Sequence, residues 1–190
     1  MFVQLFPEVQ RMKTLVDQLA QYAHYHRDPR NIATHYVGVP MIMWAVLILL
    51  SRAYWLPGWG APWAALPLSA ALLLALVAGI YYLMLDLRYG LCMALVLAAM
   101  LALAWPLAQL PVGIWLAWGL GVFVLGWVIQ FVGHYYEGRK PAFFDDVVGL
   151  AIGPLFVLAE IGFALGFRKP LQQAVQRQAG PVRRRQRAHA

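Results

Sequence analysis

The chain has 190 residues, of which 62% are hydrophobic and 12% are charged, and its mean hydropathy is +0.63. Soluble domains carry about a quarter charged residues, so this composition excludes an ordinary soluble enzyme and indicates an integral membrane protein. The net charge of +7 does not indicate a nucleic-acid partner. No RNA- or DNA-binding motif is recognisable, and basic residues commonly flank membrane spans and meet anionic lipid on the cytoplasmic side.

The first predicted element is an amphipathic helix. Apolar residues recur every three or four positions from Phe2 to Ala23, and charged residues such as Glu8 and Asp17 fall between them. This spacing predicts a helix that lies in the membrane interface. The stretch "HRDPRN", with Pro29 near its centre, predicts the turn that ends the helix.

Four apolar segments follow, each close to the roughly 20 residues that a helix needs to cross a bilayer. Turn-forming stretches separate them, and tryptophans and tyrosines gather near their ends, as is typical of membrane interfaces. The predicted transmembrane helices cover residues 38–56, 63–85, 90–108 and 112–132.

A fifth apolar stretch, residues 147–167, is long enough to cross, but Gly153 and Pro154 interrupt it and Glu160 lies inside it. Seven basic residues follow this stretch, and a fifth crossing would place all of them outside. Because cytoplasmic segments carry the excess of Lys and Arg, we expect a broken, re-entrant helix that returns to the cytoplasmic side. Its loosened backbone should be buried against the other helices.

The predicted fold is therefore an all-α integral membrane protein with an N-terminal amphipathic helix, four transmembrane helices and a broken re-entrant C-terminal helix. Residues 1–170 are expected to form a single membrane-embedded catalytic domain. Residues 171–190 are expected to form a basic, disordered tail. Both termini should be cytoplasmic, in the inner membrane of a bacterium or the endoplasmic reticulum of a eukaryote.

Four of the five histidines share one face of this predicted topology. His24, His26 and His35 precede the first span and His134 follows the fourth, whereas His189 lies in the tail. Imidazole suits iron, zinc and copper, and three protein ligands with open positions are typical of a catalytic metal site. Taken singly, each residue is also compatible with a structural role, and His24 is best interpreted as an interfacial histidine.

Two carboxylates accompany these histidines. Glu137 is three residues after His134, on the same helical face. It is a candidate fourth ligand, an acceptor for a ligand's N–H, or an ion-pair partner of Arg139 or Lys140. Glu160 is costly in an apolar segment and needs a compensating partner. A cation or protonation would serve, but we expect Glu160 to accept the outer N–H of a metal-bound histidine.

Three blocks of sequence carry a family resemblance. They are "YHRDPRNIATHYVGVP" (Tyr25 to Pro40), "IQFVGHYYEGRKPAFFDD" (Ile129 to Asp146) and "GPLFVLAE" (Gly153 to Glu160). In this order they resemble the family of small membrane proteins that includes the fungal 2-hydroxy fatty acid dioxygenase of α-oxidation. The spans between the blocks match that family only in hydropathy.

The resemblance implies a non-heme ferrous iron (Fe2+) enzyme. In that family the C1–C2 bond of a long-chain 2-hydroxy fatty acid is cleaved with O2, and a chain one carbon shorter is released. The positions that match the family's iron ligands are His26, His35 and His134. Further motif positions are Asn31, Glu137, Pro141 and Glu160, of which Asn31, Glu137 and Glu160 are candidate catalytic residues, whereas His24 matches no family position.

The chemistry of such a substrate suits a site at the membrane boundary. A 2-hydroxy acid chelates a metal through its carboxylate and hydroxyl oxygens, which requires a metal site with open positions. The acyl tail needs an apolar slot between spans. Arg139 and Lys140 are candidate substrate-binding residues that would attract the carboxylate, and a role as positive-inside anchors is the alternative.

Three other functions are alternatives to a dioxygenase. A di-iron hydroxylase or desaturase is disfavoured, because the chain has five histidines and neither an HxxxH nor an HxxHH box. A zinc hydrolase would use the same three histidines. A non-enzymatic lipid-binding or scaffolding protein needs no metal, so the metal content of the purified protein separates it from an enzyme. Membrane lipids are expected as partners in every case.

Overall fold

The computed structural model describes residues 13–56, 68–141 and 148–183. Helices make up nearly all of this part of the chain, as predicted. They are α1 (Leu15–His24), α2 (Pro29–Ser51), α3 (Ala70–Leu85), α4 (Leu87–Ala108), α5 (Val112–Glu137), α6 (Val148–Ala164) and α7 (Lys169–Ala179). One small departure from an all-α fold is a short antiparallel pair of strands near the ends of α2 and α3, formed by β1 (Tyr54–Leu56) and β2 (Leu68–Ser69).

Helix α1 begins with a reciprocal cap between Thr14 and Asp17, in which each side chain accepts a hydrogen bond from the other residue's backbone N–H. It corresponds to the second half of the predicted amphipathic helix, whose first half, residues 1–12, lies outside the described residues. The apolar side of α1, which includes Leu19 and Ala23, is fully buried and packs on α6 and α7. That side therefore faces protein.

Three helices, α2, α4 and α5, are long and apolar enough to cross a membrane, whereas α3 is apolar but shorter within the described residues. All three extend beyond a predicted limit, α4 by starting at Leu87 instead of residue 90, and α2 ends at Ser51 instead of residue 56. Helix α2 starts at Pro29 instead of residue 38, because Asp28 caps it and proline is well suited to a first helical position. Helix α5 continues past residue 132 to Glu137 and ends where Gly138 adopts φ +69°.

Helix α3 connects opposite ends of the helix bundle. At its start, the Ala70 amide donates to the Ala53 carbonyl, 2.9 Å away, beside the end of α2. Arg52, at the same end, donates to the Leu110 carbonyl, 2.8 Å away, which follows α4. Since α4 starts at Leu87 and ends beside Arg52, the turn at Asp86 lies at the other end of the bundle. Helix α3 therefore runs the whole length between these two ends.

Helix α6 is not broken at Gly153 and Pro154, so that detail of the prediction is wrong. The helix continues through Pro154 to Ala164. A proline disturbs the backbone hydrogen bonds of the preceding turn, and here the Tyr82 hydroxyl donates to the Ala151 carbonyl in that turn, 2.7 Å away. The break comes later, at residues 165–168, where Gly166 and Arg168 have positive φ. It bends α7 away from α6 by 119°.

Hydrogen bonds of Arg27 fix the position of the last described residues. The Arg183 amide donates to the Arg27 carbonyl at 2.9 Å, and the Arg27 side chain donates to the Gly180 carbonyl. Arg27 directly precedes α2, so the end of α7 lies beside the start of α2. The predicted re-entrant path stays a prediction, but the expected disorder from residue 171 is wrong for residues 171–179, because α7 buries Leu171 and Val175 against its neighbours. Residues 184–190 of the predicted tail lie outside the described residues.

An ion pair fixes the bend between α6 and α7. The Arg168 guanidinium donates to both carboxylate oxygens of Asp86, at 3.0 and 2.8 Å. Asp86 also caps α4 by accepting a hydrogen bond from the Tyr89 amide. These hydrogen bonds, led by the one from Arg168, lower the pKa of the Asp86 carboxyl. One carboxylate therefore ties the α3–α4 turn to the bend.

Helices α2 and α5 share the most extensive contact between two helices in the described chain, and it is built on glycine. A Cβ atom at Gly119 would overlap with Leu49, one at Gly126 would lie 2.8 Å from Ile42, and one at Gly133 would overlap with Thr34 and Asn31. The three glycines are seven residues apart, so they lie along one side of α5. Small residues let helix backbones approach closely in a membrane.

We predict that Gly133→Ala disrupts this contact, because its Cβ has no space between Thr34 and Asn31. Overpacking of this kind typically costs about 1–3 kcal/mol, so the melting temperature in detergent should fall. Gly121→Ala is the matched control, since nothing lies within 4 Å of a Cβ at that position of the same helix. Equal melting temperatures for the two variants would contradict the packing argument.

Candidate metal centre

Three histidines meet at one end of the bundle. His26 lies in the turn between α1 and α2, His35 in the second turn of α2, and His134 in the last turn of α5. Their exposed fractions are 1%, 2% and 5%. One nitrogen from each ring lies within 4.8 Å of the other two. The structure thus brings together the three residues that the sequence analysis selected as ligands.

Backbone carbonyls orient two of the rings. The Nδ1 atom of His26 lies 2.7 Å from the Tyr22 carbonyl, and that of His35 lies 2.8 Å from the Asn31 carbonyl. A ring nitrogen that bonds to a carbonyl must carry the hydrogen, so the Nε2 atom of each neutral ring retains its lone pair. Hydrogen bonds of this type commonly fix the tautomer of metal-binding histidines.

The remaining ring nitrogens fit a metal ion. The Nε2 atom of His26 and the Nδ1 atom of His134 are buried, and neither has a hydrogen-bond partner among the described residues. Burying an unpaired polar atom is costly, and a cation would supply the missing partner. Burial, followed by the neighbouring His35, holds the pKa of His26 well below its usual range. His26 is therefore neutral at pH 7, as a metal ligand must be.

Glu137 holds the turn that carries His26. Its Oε2 atom accepts hydrogen bonds from the amides of Arg27 and Asp28, at 3.0 and 2.8 Å, and from the side chain of Asn31 at 3.1 Å. Charge-assisted hydrogen bonds of this kind are strong. Glu137 is not part of the three-residue group that could bind a metal among the described residues. The structure therefore places it as an anchor for the start of α2.

Asn31 links the same parts. It is fully buried, its carbonyl orients His35, and its side-chain amide donates to Glu137 and, at 3.4 Å, to the Tyr25 carbonyl. Asn31 thus positions two elements of the site at once.

The prediction that Glu160 accepts a histidine N–H is wrong for His26 and His35, because both rings direct that nitrogen at backbone carbonyls. An attractive charge interaction instead couples Glu160 to the Arg27 guanidinium. This attraction offsets only part of the cost of burial, which still raises the pKa of the Glu160 carboxyl.

The other residues selected from the sequence lie at the edge of the site. Arg139, Lys140 and His24 are exposed. The Arg139 side chain donates to the His24 carbonyl at 3.3 Å. Pro141, in contrast, is buried and contributes to the wall of the cavity described below. A role of Arg139 and Lys140 in binding a substrate stays a prediction.

A cavity of about 80 Å³ adjoins the three histidines. A buried water needs only about 10–15 Å³ by the same kind of measure, so this space is large enough for an ion and several oxygen atoms. Beyond the histidines its walls are mostly apolar. They include Tyr22, Val39, Ile42, Met43, Trp127, Gln130, Leu150 and Pro154.

Sequence reasoning missed two residues of this site. Tyr22 stacks on His26, with ring centroids 4.1 Å apart and an angle of 7° between the planes. Gln130 is buried in the cavity wall, one helical turn before His134. The helical spacing of four residues to His26 and to His134 was the available signal. Tyr22 and His26 share a face because α1 continues almost to His26. Gln130 and His134 share a face because α5 continues past His134.

Comparison with known proteins agrees with this geometry. A family profile described as 2-hydroxy-palmitic acid dioxygenase Mpo1-like matches residues 12–165, which include all three histidines. The chain belongs to the Mpo1-like family. One relative, the 2-hydroxy-palmitic acid dioxygenase MPO1 of Saccharomyces cerevisiae, is 34% identical over 164 residues, which cover 85% of this chain and 87% of the yeast protein. No solved structure matches the chain.

We predict that alanine at His26, His35 or His134 removes stable metal binding from this Mpo1-like protein. Loss of a ligand should weaken affinity by more than the roughly 10- to 100-fold that is typical of residues that only support ligands. The measurement is the metal content of each purified variant after anaerobic incubation with ferrous iron, with helix content checked by circular dichroism. His24→Ala is the control, because His24 is exposed. A His35→Ala protein with full metal content would show that the ligand set is wrong.

Proposed function

We propose that the protein is a ferrous iron-dependent dioxygenase that cleaves the C1–C2 bond of a long-chain 2-hydroxy fatty acid. The observation that carries this proposal is the buried cluster of three histidines, two of which have an unpaired ring nitrogen, beside a cavity with mostly apolar walls. Membership of the Mpo1-like family and the name of the yeast relative support the choice of reaction and substrate.

The protein's own residues would hold the metal and shape its surroundings. His26, His35 and His134 would be the ligands, with Tyr22 and Asn31 fixing two of the rings through their carbonyls. Glu137 would keep His26 in place through the turn that precedes α2. Ferrous iron bound there would supply the redox chemistry that activates dioxygen. Three protein ligands leave positions open for substrate and O2, as in other non-heme iron oxygenases.

The cavity also suits an acyl chain. Moving along α2 and α5 away from the histidines, its walls become apolar side chains such as Val39, Ile42 and Trp127. The polar head of a fatty acid would lie beside the metal, and the tail would follow these side chains into the membrane. Attraction of the carboxylate by Arg139 and Lys140 is a further part of this proposal.

The direct test is turnover. Purified protein, reconstituted with ferrous iron without oxygen and then exposed to O2, should convert 2-hydroxypalmitate to a 15-carbon acid that mass spectrometry detects. Palmitate should not react, because it lacks the 2-hydroxyl. Zinc-loaded protein is the control, since zinc has no redox chemistry. A zinc-loaded protein that hydrolyses lipid esters would favour the hydrolase, and a protein that retains neither metal would favour a non-enzymatic role.

We further propose that α2, α3, α4 and α5 all cross the membrane and that the histidine end is cytoplasmic. Helix α3 has 16 residues, which at 1.5 Å per residue give about 24 Å, slightly less than a hydrocarbon core of about 30 Å. Its connection of the two bundle ends supports a crossing. Basic residues gather at the histidine end, whereas Arg52 lies at the other end. Those at the histidine end include Arg27, Arg30, Arg88, Arg139, Lys140, Arg168, Lys169, Arg177 and Arg183.

Cysteine labelling tests this orientation. In a Cys92→Ala background, an impermeant thiol reagent added to intact cells should label Ala53→Cys and leave Gln178→Cys unmodified, since the positive-inside rule places the basic end in the cytoplasm. Both positions are exposed in the structure. Permeabilised cells should show labelling at both positions. Labelling of Gln178→Cys in intact cells would contradict the proposed cytoplasmic C-terminal end.

A further inference from the structure

Gln130 is a buried polar residue whose presence the proposed metal site does not explain. It is only 4% exposed, lines the cavity beside the three histidines, and carries an Oε1 atom without a hydrogen-bond partner among the described residues. A buried amide oxygen without a partner is rare and costly. A leucine of similar volume would avoid that cost, so the amide needs an explanation.

The position of Gln130 shows what its oxygen can reach. Gln130 precedes His134 by four residues, so both side chains project from the same face of α5 into the cavity. Across the helix contact, Gly38 leaves space for it, since a Cβ at residue 38 would lie 3.1 Å from both Cγ and Nε2 of Gln130. The amide is thus held where the cavity passes from the histidines to the apolar side chains.

We propose that Gln130 recognises the 2-hydroxyl group of the substrate by accepting its hydrogen at Oε1. This inference rests on the proposed function and names the residue that distinguishes a 2-hydroxy acid from other fatty acids. A fatty acid with its carboxyl group near the histidines and its tail along the apolar wall has C2 at the boundary between the two, the layer that Gln130 occupies. A hydroxyl on C2 can donate a hydrogen bond, and the Gln130 amide oxygen has no donor among the described residues.

The chemistry of the other candidate acceptors supports this assignment. The histidines would direct their free nitrogens at the metal, and the Glu137 Oε2 atom already accepts three hydrogen bonds from the start of α2. Apart from Tyr22, whose hydroxyl lies beside Gly153, the remaining cavity wall is mostly apolar. A site that is built to bond a substrate hydroxyl disfavours analogues that lack it, because the protein group is then left unpaired.

Binding to zinc-loaded protein separates recognition from turnover. Equilibrium dissociation constants would be measured in detergent with radiolabelled 2-hydroxypalmitate and with 2-oxopalmitate, which keeps an oxygen on C2 but has no hydrogen to donate. Wild-type protein should prefer the hydroxy acid by about tenfold, a value in keeping with one buried hydrogen bond. Gln130→Met, close in size but a poor acceptor, should reduce this preference to about one. Gln130→Glu, which keeps an acceptor oxygen, should retain it.

Gln109→Met is the matched control, because Gln109 is exposed at the far end of α4 and should behave as wild type. A Gln130→Met protein that binds 2-oxopalmitate like wild type and keeps the tenfold preference would overturn the role of Gln130 and leave the proposed function intact. Wild-type protein that binds neither acid would overturn both. The zinc content and melting temperature of each variant show whether a lost preference reflects unfolding. A folded Gln130→Leu protein that lacks the preference would also support the inference.

Discussion

The close approach of α2 and α5 is the constraint on which the rest of the structure depends. In a membrane, apolar side chains gain little by leaving lipid, so helices associate through tight packing at small residues. Gly133 gives that packing where it matters most, directly before His134 and against Thr34 and Asn31. Because His35 and His134 are on these two helices, the contact that joins the helices also sets the distance between two of the candidate ligands.

The third histidine depends on a different device. His26 lies in a turn, where packing alone would leave its direction loose, and Glu137 compensates by accepting hydrogen bonds from the two amides that follow it. Residues 130–137 of α5 therefore supply the cavity amide, the packing glycine, one candidate ligand and the anchor for another. These eight residues, about two helical turns, fix the position of the site relative to α2. Helices alone can therefore bring the three histidines together.

The sequence was informative where a single physical rule governs. Hydropathy indicated the long apolar helices α2, α4 and α5. The three histidines were found because topology and family blocks agreed. Helix ends were less predictable. Helix α2 begins after its cap Asp28 and α5 ends before Gly138, so both helices include polar residues that a hydropathy criterion leaves out of a span. The partner of Glu160 was missed because it depends on the path of α6 relative to Arg27, a tertiary arrangement with no local pattern in the sequence.

The coverage of the site by α1 and α6 connects the fold to the chemistry. The histidines lie at one end of the apolar helices α2 and α5, where water would otherwise reach them. Helices α1 and α6 enclose them through Tyr22 and Phe156, which contact His26. Enclosure keeps the imidazoles neutral but leaves polar atoms unpaired, a cost that packing elsewhere must offset. Local violations of this kind are expected at functional sites. Among the described residues, six buried side chains carry an unpaired polar atom, and two of them, Trp44 and Tyr89, lie away from the cavity. The other four are His26, His134, Gln130 and Asn31. The first three line the cavity, where a metal and the head of a substrate would satisfy them.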